Sequence, residues 1–321
     1  MKNLIVFALV VFVVSIGGGQ GTFVDTNLNE IFNKKYQHKM ISSGDNFPDF
    51  NVRKKKMDLI LIALHEDVPL KEIQSKVEIS HEEMDSIIQL LTSKSWLHKI
   101  NGQYKPQVFI ATNEDGKLLY EYARPISSKI VARIQEQLPE IQDQFEHTQL
   151  SNQYAFEDWA FLILSNVLLD NWQINHVEKQ FLGKSARPVR HGKNYYAAIL
   201  ESNTDRESFG IYGNQFGQVS VYGNNRKKAD LSARNYVVSK SDGAVFIQMA
   251  DDFSVDLLKI LDEFKPYCYE VYEKTGYSEE ITFEEFFIWW YHFIYTQATD
   301  LMAEMNLLKV PESGNFVYSI E

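Results

Sequence analysis

KEIQSKVEISHEEMDSIIQLLTSKSWLHKINGQY, Lys71 to Tyr104, decides how the first half of this chain folds. Leu70, Ile73 and Val77 recur at helical spacing behind Pro69, a residue suited to a helix start because no N–H is needed there. Glu78, Ile79 and Ser80 leave room only for a tight turn. Ser80 is a good N-cap, and Glu83 three residues on completes a capping-box pattern. Met84, Ile87, Ile88 and Leu91 form the buried stripe of the next helix, which ends at Trp96 and Leu97. HKINGQY (98–104) and QVFIAT (107–112) are extended runs joined through a turn, and predict a small hairpin. Upstream, MDLILIALHED (57–67) reads as one more short helix.

Three short helices, the turn at 78–80 and the WLHKINGQY run resemble the winged helix-turn-helix superfamily over residues 57 to about 122. Thr112 and Gly116 resemble the entry to that family's post-wing helix. The resemblance implies that the start of the third helix would enter a DNA major groove. His81, Glu82, Glu83 and Asp85 stand there, and three carboxylates would face phosphate oxygens. Residues 57–124 hold seven Lys/Arg against eleven Asp/Glu, where a DNA reader gathers positive charge. The scaffold is therefore expected to serve packing or protein binding, with nucleic acid disfavoured. Only Arg53 to Lys56 is basic, and a charge run before a domain reads as solvated linker.

The chain has 321 residues, 45% hydrophobic and 23% charged, with a net charge of −11. That suffices for two modules with real cores and speaks against a general attraction to anionic surfaces. Cys268 is the single cysteine, so no intrachain disulfide or cysteine-based zinc pattern can form. Lys2, the apolar run Leu4–Ile16 and the small residues Gly19 and Gly21 predict a secretory signal over 1–21. As a helix the run would be only about 20 Å long, short of a hydrocarbon core of about 30 Å. An uncleaved anchor is the alternative. Residues 22–56 read as linker, 57–150 as the winged-helix-like module, and 151–321 as an α+β module.

In that second module EDWAFLILSNVLLDNW (157–172) predicts a buried helix. The runs YYAAILES, SFGIYGNQ, QVSVYGN, NYVVSK and AVFIQMA predict strands separated by Gly/Asn turns, with Tyr-Gly-Asn at 212–214 and 222–224 as turn chemistry. Residues 253–276 and 282–305 predict helices, and 307–321 a hairpin-like pair. Gly116 to Phe145 predicts helix interrupted at Pro125 and Pro139. The expected fold class is α+β, an antiparallel sheet flanked by helices.

Candidate chemistry is sparse. GKSARPVRHGKNYY carries Lys184, Arg187, Arg190, His191 and Lys193, with Tyr195 and Tyr196 beside them, a cluster suited to carboxylate or phosphate if it is not simply a solvated loop. FFIWWYHFIY forms a core stripe, with Trp289 and Phe293 to the side as candidate contacts for a partner and His292 as a core histidine. Asp251 and Asp252 read as helix-capping charge. No G-x-S-x-G, H-E-x-x-H, P-loop or G-x-G-x-x-G occurs, so no catalytic residue, metal or cofactor is expected. The sequence favours an exported, periplasmic or extracellular, non-enzymatic protein that recognises a protein or other macromolecule. A membrane-tethered winged-helix regulator and an exported hydrolase with a dispersed site are the alternatives.

Overall fold

A computed structural model describes residues 28–202, 210, 212–216, 218–223 and 236–321. The expected signal over 1–21 lies outside them. Helices α2 (Met57–His65), α3 (Leu70–Val77) and α4 (His81–Ser93) follow one another as their apolar spacing requires. Glu78 closes α3 in the left-handed conformation, and Ser80 Oγ accepts the Glu83 N–H at 3.1 Å to start α4. Strands β2 (Leu97–Ile100) and β3 (Gln103–Pro106) pair across Asn101–Gly102. Both turn residues have positive φ, the requirement of a two-residue type I′ turn. The paired strands of the hairpin thus span 97–106, and of QVFIAT only Gln107 touches it, its N–H donating to Trp96 O at 2.9 Å.

That second run instead forms β4 (Phe109–Ala111), which pairs in parallel with β6 (Lys193–Glu201). From residue 28, the stretch expected to be linker is also folded. Helix α1, described over 28–33, buries Leu28 and Ile31, and β1 (Tyr36–Ser42) runs antiparallel along β6 from Tyr36↔Glu201 to Ser42↔Tyr195. Short β5 (Val189–Arg190) folds back on the start of β6. The polar composition of this stretch suits a tether, but a non-local partner, β6, orders Tyr36–Ser42 as a strand.

Side chains alternate across a strand, and β6 uses that alternation to serve two cores. Tyr195, Ala197 and Ile199 pack with the three-helix unit, whereas Tyr196, Ala198 and Leu200 pack with the larger C-terminal core. Trp96 donates its indole N–H to Tyr195 Oη at 2.9 Å, joining the hairpin entry to this sheet. The larger core thus takes in residues before 150, from Phe109 of β4 onward. Helix α5 (Asn113–Glu146) buries Leu119, Ala123, Ile126, Ile130 and Ile134 in the larger core. It runs unbroken through Pro125 and Pro139. Burial along α10 (Phe283–Glu304) offsets the lost backbone bonds, helped by Trp290 Nε1–H donating to Leu119 O at 2.9 Å and Ser127 Oγ to Ile294 O at 2.8 Å.

The larger core continues through α6 (Phe156–Phe161), which passes into a fully buried π-helical turn at Leu162–Val167. A second π-helical segment, Val177–Phe181, follows α7 (Ile174–His176). Strands β7 (Tyr212–Phe216), β8 (Val219–Gly223), β9 (Tyr236–Val238) and β10 (Asn315–Ile320) form another sheet in the order β7-β8-β10-β9. β10 lies antiparallel to β8 and parallel to β9, so the C-terminus is not a hairpin pair. The first Tyr-Gly-Asn lies within β7, with Gly213 opposite Tyr222, so it is strand rather than turn; Asn224 is outside the described residues.

AVFIQMA is helical, part of α8 (Lys240–Glu263), where Phe246, Met249, Ala250 and Phe253 share the buried side and Ser239 caps the start. Asp251 and Asp252 consequently sit in mid-helix rather than at a cap. Helix α9 (Lys265–Lys274) leads to α10. The architecture is α+β, with small mixed and antiparallel sheets flanked by helices. Among the described residues no helix is long and apolar enough to cross a membrane.

Candidate functional site

The cationic loop is largely consumed by internal ion pairs. Lys184 meets Glu284 at 3.1 Å, Lys193 meets Asp45 at 3.2 Å, and exposed His191 lies 3.4 Å from Asp49. Arg190 is buried, and its Nη2 donates to both Glu285 oxygens at 2.6 and 2.7 Å and to Gln107 O. Burial pushes the Glu285 carboxyl up and the guanidinium opposes that rise. Tyr195 faces the smaller core. The six residues thus do not converge on one ligand. Trp289 and Phe293 are 2% and 1% exposed, so neither is a surface contact. The apolar arc of α10 wraps almost the whole helix because it runs through the centre of the larger core.

Two of the named residues nevertheless line a cleft of about 430 Å³. Its walls are Lys39 to Ser43 from β1 and its end, Asp170, Asn171, Ile174 and Asn175 after the first π-helical turn, Gly213 to Gln215 of β7, and Arg187, Trp289 and His292. Small-molecule sites occupy roughly 300–1,000 Å³. π-helical turns recur at functional sites, and here one ends just before Asp170.

Asp170 is buried, which lifts its carboxyl from 3.8 to about 7 against the opposing hydrogen bonds from Tyr295 and the Gly213 N–H. Its environment adds Tyr222 and Tyr318, both held above the ordinary tyrosine range first by burial and then by this carboxylate, and Tyr291, affected the same way. Burial pushes His292 down to about 4, with Lys39 contributing, so the ring is neutral at ordinary pH. Its Nδ1–H donates to Ile288 O at 2.8 Å, which makes Nε2 the acceptor nitrogen.

Arg187 grips Glu178 through Nε at 2.8 Å and Nη2 at 3.0 Å. Its Nη1 is buried and has no hydrogen-bond partner among the described residues, and the same holds for Trp289 Nε1. An unmade bond at a buried donor costs about 1–3 kcal/mol, and both nitrogens are shut off from the water that fills the cleft. Gly210 passes close by at positive φ, and a Cβ there would overlap Thr296 Oγ1 and crowd His292 O.

A second cluster lies between the two cores. His65 donates from Nδ1 to Glu280 at 2.8 Å and from Nε2 to Asp115 at 3.2 Å. Burial opposes its charge, but the two carboxylates outweigh burial and hold its pKa well above the usual histidine range. One ligand atom each from His65, Glu66 and Asp115 lie within 4.8 Å of one another, the geometry of a possible metal site. A metal needs a deprotonated imidazole, whereas this one is set up as an imidazolium clamp. Asp115 also caps α5 at Thr112. Sequence reasoning missed this cluster and Asp170 alike, because their partners are non-local.

On the three-helix unit, Glu83 at the start of α4 holds Lys55 at 2.9 Å, and Lys56 lies over the Phe32 ring. Part of the basic run that could meet phosphate is thus engaged within the unit. No family model matches the chain, and no match is found among curated proteins or solved structures.

Proposed function

We propose that this chain is a non-enzymatic binding protein whose cleft between β1, β7 and α10 holds a small polar molecule. Export, through the apolar leader Leu4–Ile16, belongs to the same reading. The observation that carries it is the cleft itself, about 430 Å³ and lined by polar side chains such as Ser42, Ser43, Asn171 and Asn175. Recognition of a macromolecule has less support, because Arg190, Tyr195, Trp289 and Phe293 are buried and Lys184, Arg187 and Lys193 are held by carboxylates. The winged-helix-like unit acts as a packing scaffold in this reading, its acidic helix start unsuited to DNA. The dispersed hydrolase is also weakened, since of Arg187, Arg190 and His191 only Arg187 lines the cleft.

The test is ligand-observed NMR on a mixture of monosaccharides, amino acids and organic acids. Wild-type protein should bind at least one component, and Ser43→Trp, which plugs the rim, should lose it. Binding unchanged by the plug, or no binding by either protein, would contradict the reading.

A further inference from the structure

The geometry points to a divalent-cation site on the seam between the two cores, with His65 Nε2, Glu66 and Asp115 as ligands of zinc or a similar first-row ion. The site is separate from the cleft and independent of what fills it.

Distant parts of the chain bring the donors together. His65 ends α2 and Glu66 caps it, on the three-helix unit. Asp115 stands in the first turn of α5, and Glu280 follows the short turn Tyr277–Glu279, both on the side of the larger core. One ligand atom from each of His65, Glu66 and Asp115 lies within 4.8 Å of the other two. His65 Nε2 and Asp115 Oδ2 already stand 3.2 Å apart, a spacing that bonds of about 2.0–2.2 Å to one ion accommodate. Only Glu66 has to swing inward.

Two features favour an ion over a purely structural cluster. Buried Glu280 holds the Nδ1 side of the ring at 2.8 Å, which aims Nε2 at Asp115, as outer carboxylates orient metal-binding histidines. Glu66 is half-buried, yet its carboxylate makes no hydrogen bond or ion pair among the described residues. Burial pushes that carboxyl up, and Asp115 and Glu201 add to the rise. The neighbouring Lys34 is committed to Glu201 at 3.2 Å.

Without metal, the clamp proton on Nε2 stands where the ion would sit. Glu66, Asp115 and Glu280 surround that one ring, so a divalent ion on neutral imidazole balances one charge more than the proton does. Zinc therefore enters by displacing the proton, as metal binding to histidine does in general. An imidazole between two carboxylates suits zinc and its neighbours, whereas Mg²⁺ and Ca²⁺ take oxygen donors.

Titration calorimetry of the untagged, EDTA-stripped chain with ZnCl₂ at pH 7.5 tests the site, with thermal unfolding alongside. Wild type should bind one zinc ion and unfold at higher temperature in its presence, and MgCl₂ should do neither. Glu66→Gln should weaken zinc by at least about tenfold, no less than loss of an outer-shell partner costs. Metal-free Glu66→Gln should unfold no earlier than metal-free wild type, because Glu66 has no contact to lose. Zinc bound equally by wild type and Glu66→Gln, or not at all by wild type, overturns the site. Magnesium binding as tight as zinc overturns the role of the imidazole.

Discussion

Replacing Asp170 by Asn removes a buried charge without removing the acceptor that Tyr295 and the Gly213 N–H use. The folded carboxyl stands at about 7 against an ordinary 3.8. Because the folded value is the higher, the acid's contribution to stability is complete below 3.8 and is lost as pH rises through about 7. Across that interval the loss is about 1.4 kcal/mol per pH step. Between pH 5 and pH 7 wild-type protein should therefore lose ~2 kcal/mol that Asp170→Asn does not lose. Urea denaturation of both proteins at pH 5, 6, 7 and 8 measures the difference directly, since other titrating groups are common to the pair. The variant should gain on wild type by roughly 3 kcal/mol from pH 5 to 8, with most of the change complete by pH 7. A difference that stays flat over that range would refute the account of Asp170 as a carboxyl held in its acid form by burial.

Other perturbations follow from the same geometry. His65→Gln breaks the clamp between Glu280 and Asp115 and should cost about 3 kcal/mol at pH 6. Since the folded histidine pKa is raised, that penalty should shrink as pH climbs through the folded value, again read by denaturation. Arg190→Met leaves Glu285 buried without its partner and should cost ~3–5 kcal/mol. The double change Arg190→Met with Glu285→Leu should recover most of that in a double-mutant cycle. Duplex DNA should show no retention by the protein at about 50 mM salt, in keeping with the Lys55–Glu83 pair and the acids at the start of α4; measurable binding that falls steeply with salt would favour the regulator.

Local chemistry was legible where one short segment decides it. Ser80 marks a helix start by its own side chain, whereas the hairpin turn lies at Asn101–Gly102, inside a run that reads as a single strand. Apolar runs were readable as buried but not as strand or helix. YYAAILES is a strand with a core on each face, and AVFIQMA is helix because Phe246, Met249 and Ala250 fall on one side. Partner choice was not legible. Nothing in YQHKMIS or QVFIAT names β6 as its neighbour, and so a folded edge strand read as linker. The cleft was hidden for the same reason. Arg187 and Trp289 stood out by charge and aromaticity, but Asp170 lies in an apolar run, LLDNW, that carries no motif. An N–H without an acceptor exists only once the chain has closed around it.

The most direct measurement is a ¹H–¹⁵N titration of the wild-type protein with the molecule that the metabolite mixture yields. Its binding should move the backbone amides of Ser42, Ser43, Asn171 and Asn175, which line the cleft, and Ser43→Trp should abolish those shifts. Shifts that leave these residues unmoved would contradict the central claim that the cleft between β1, β7 and α10 is the binding site.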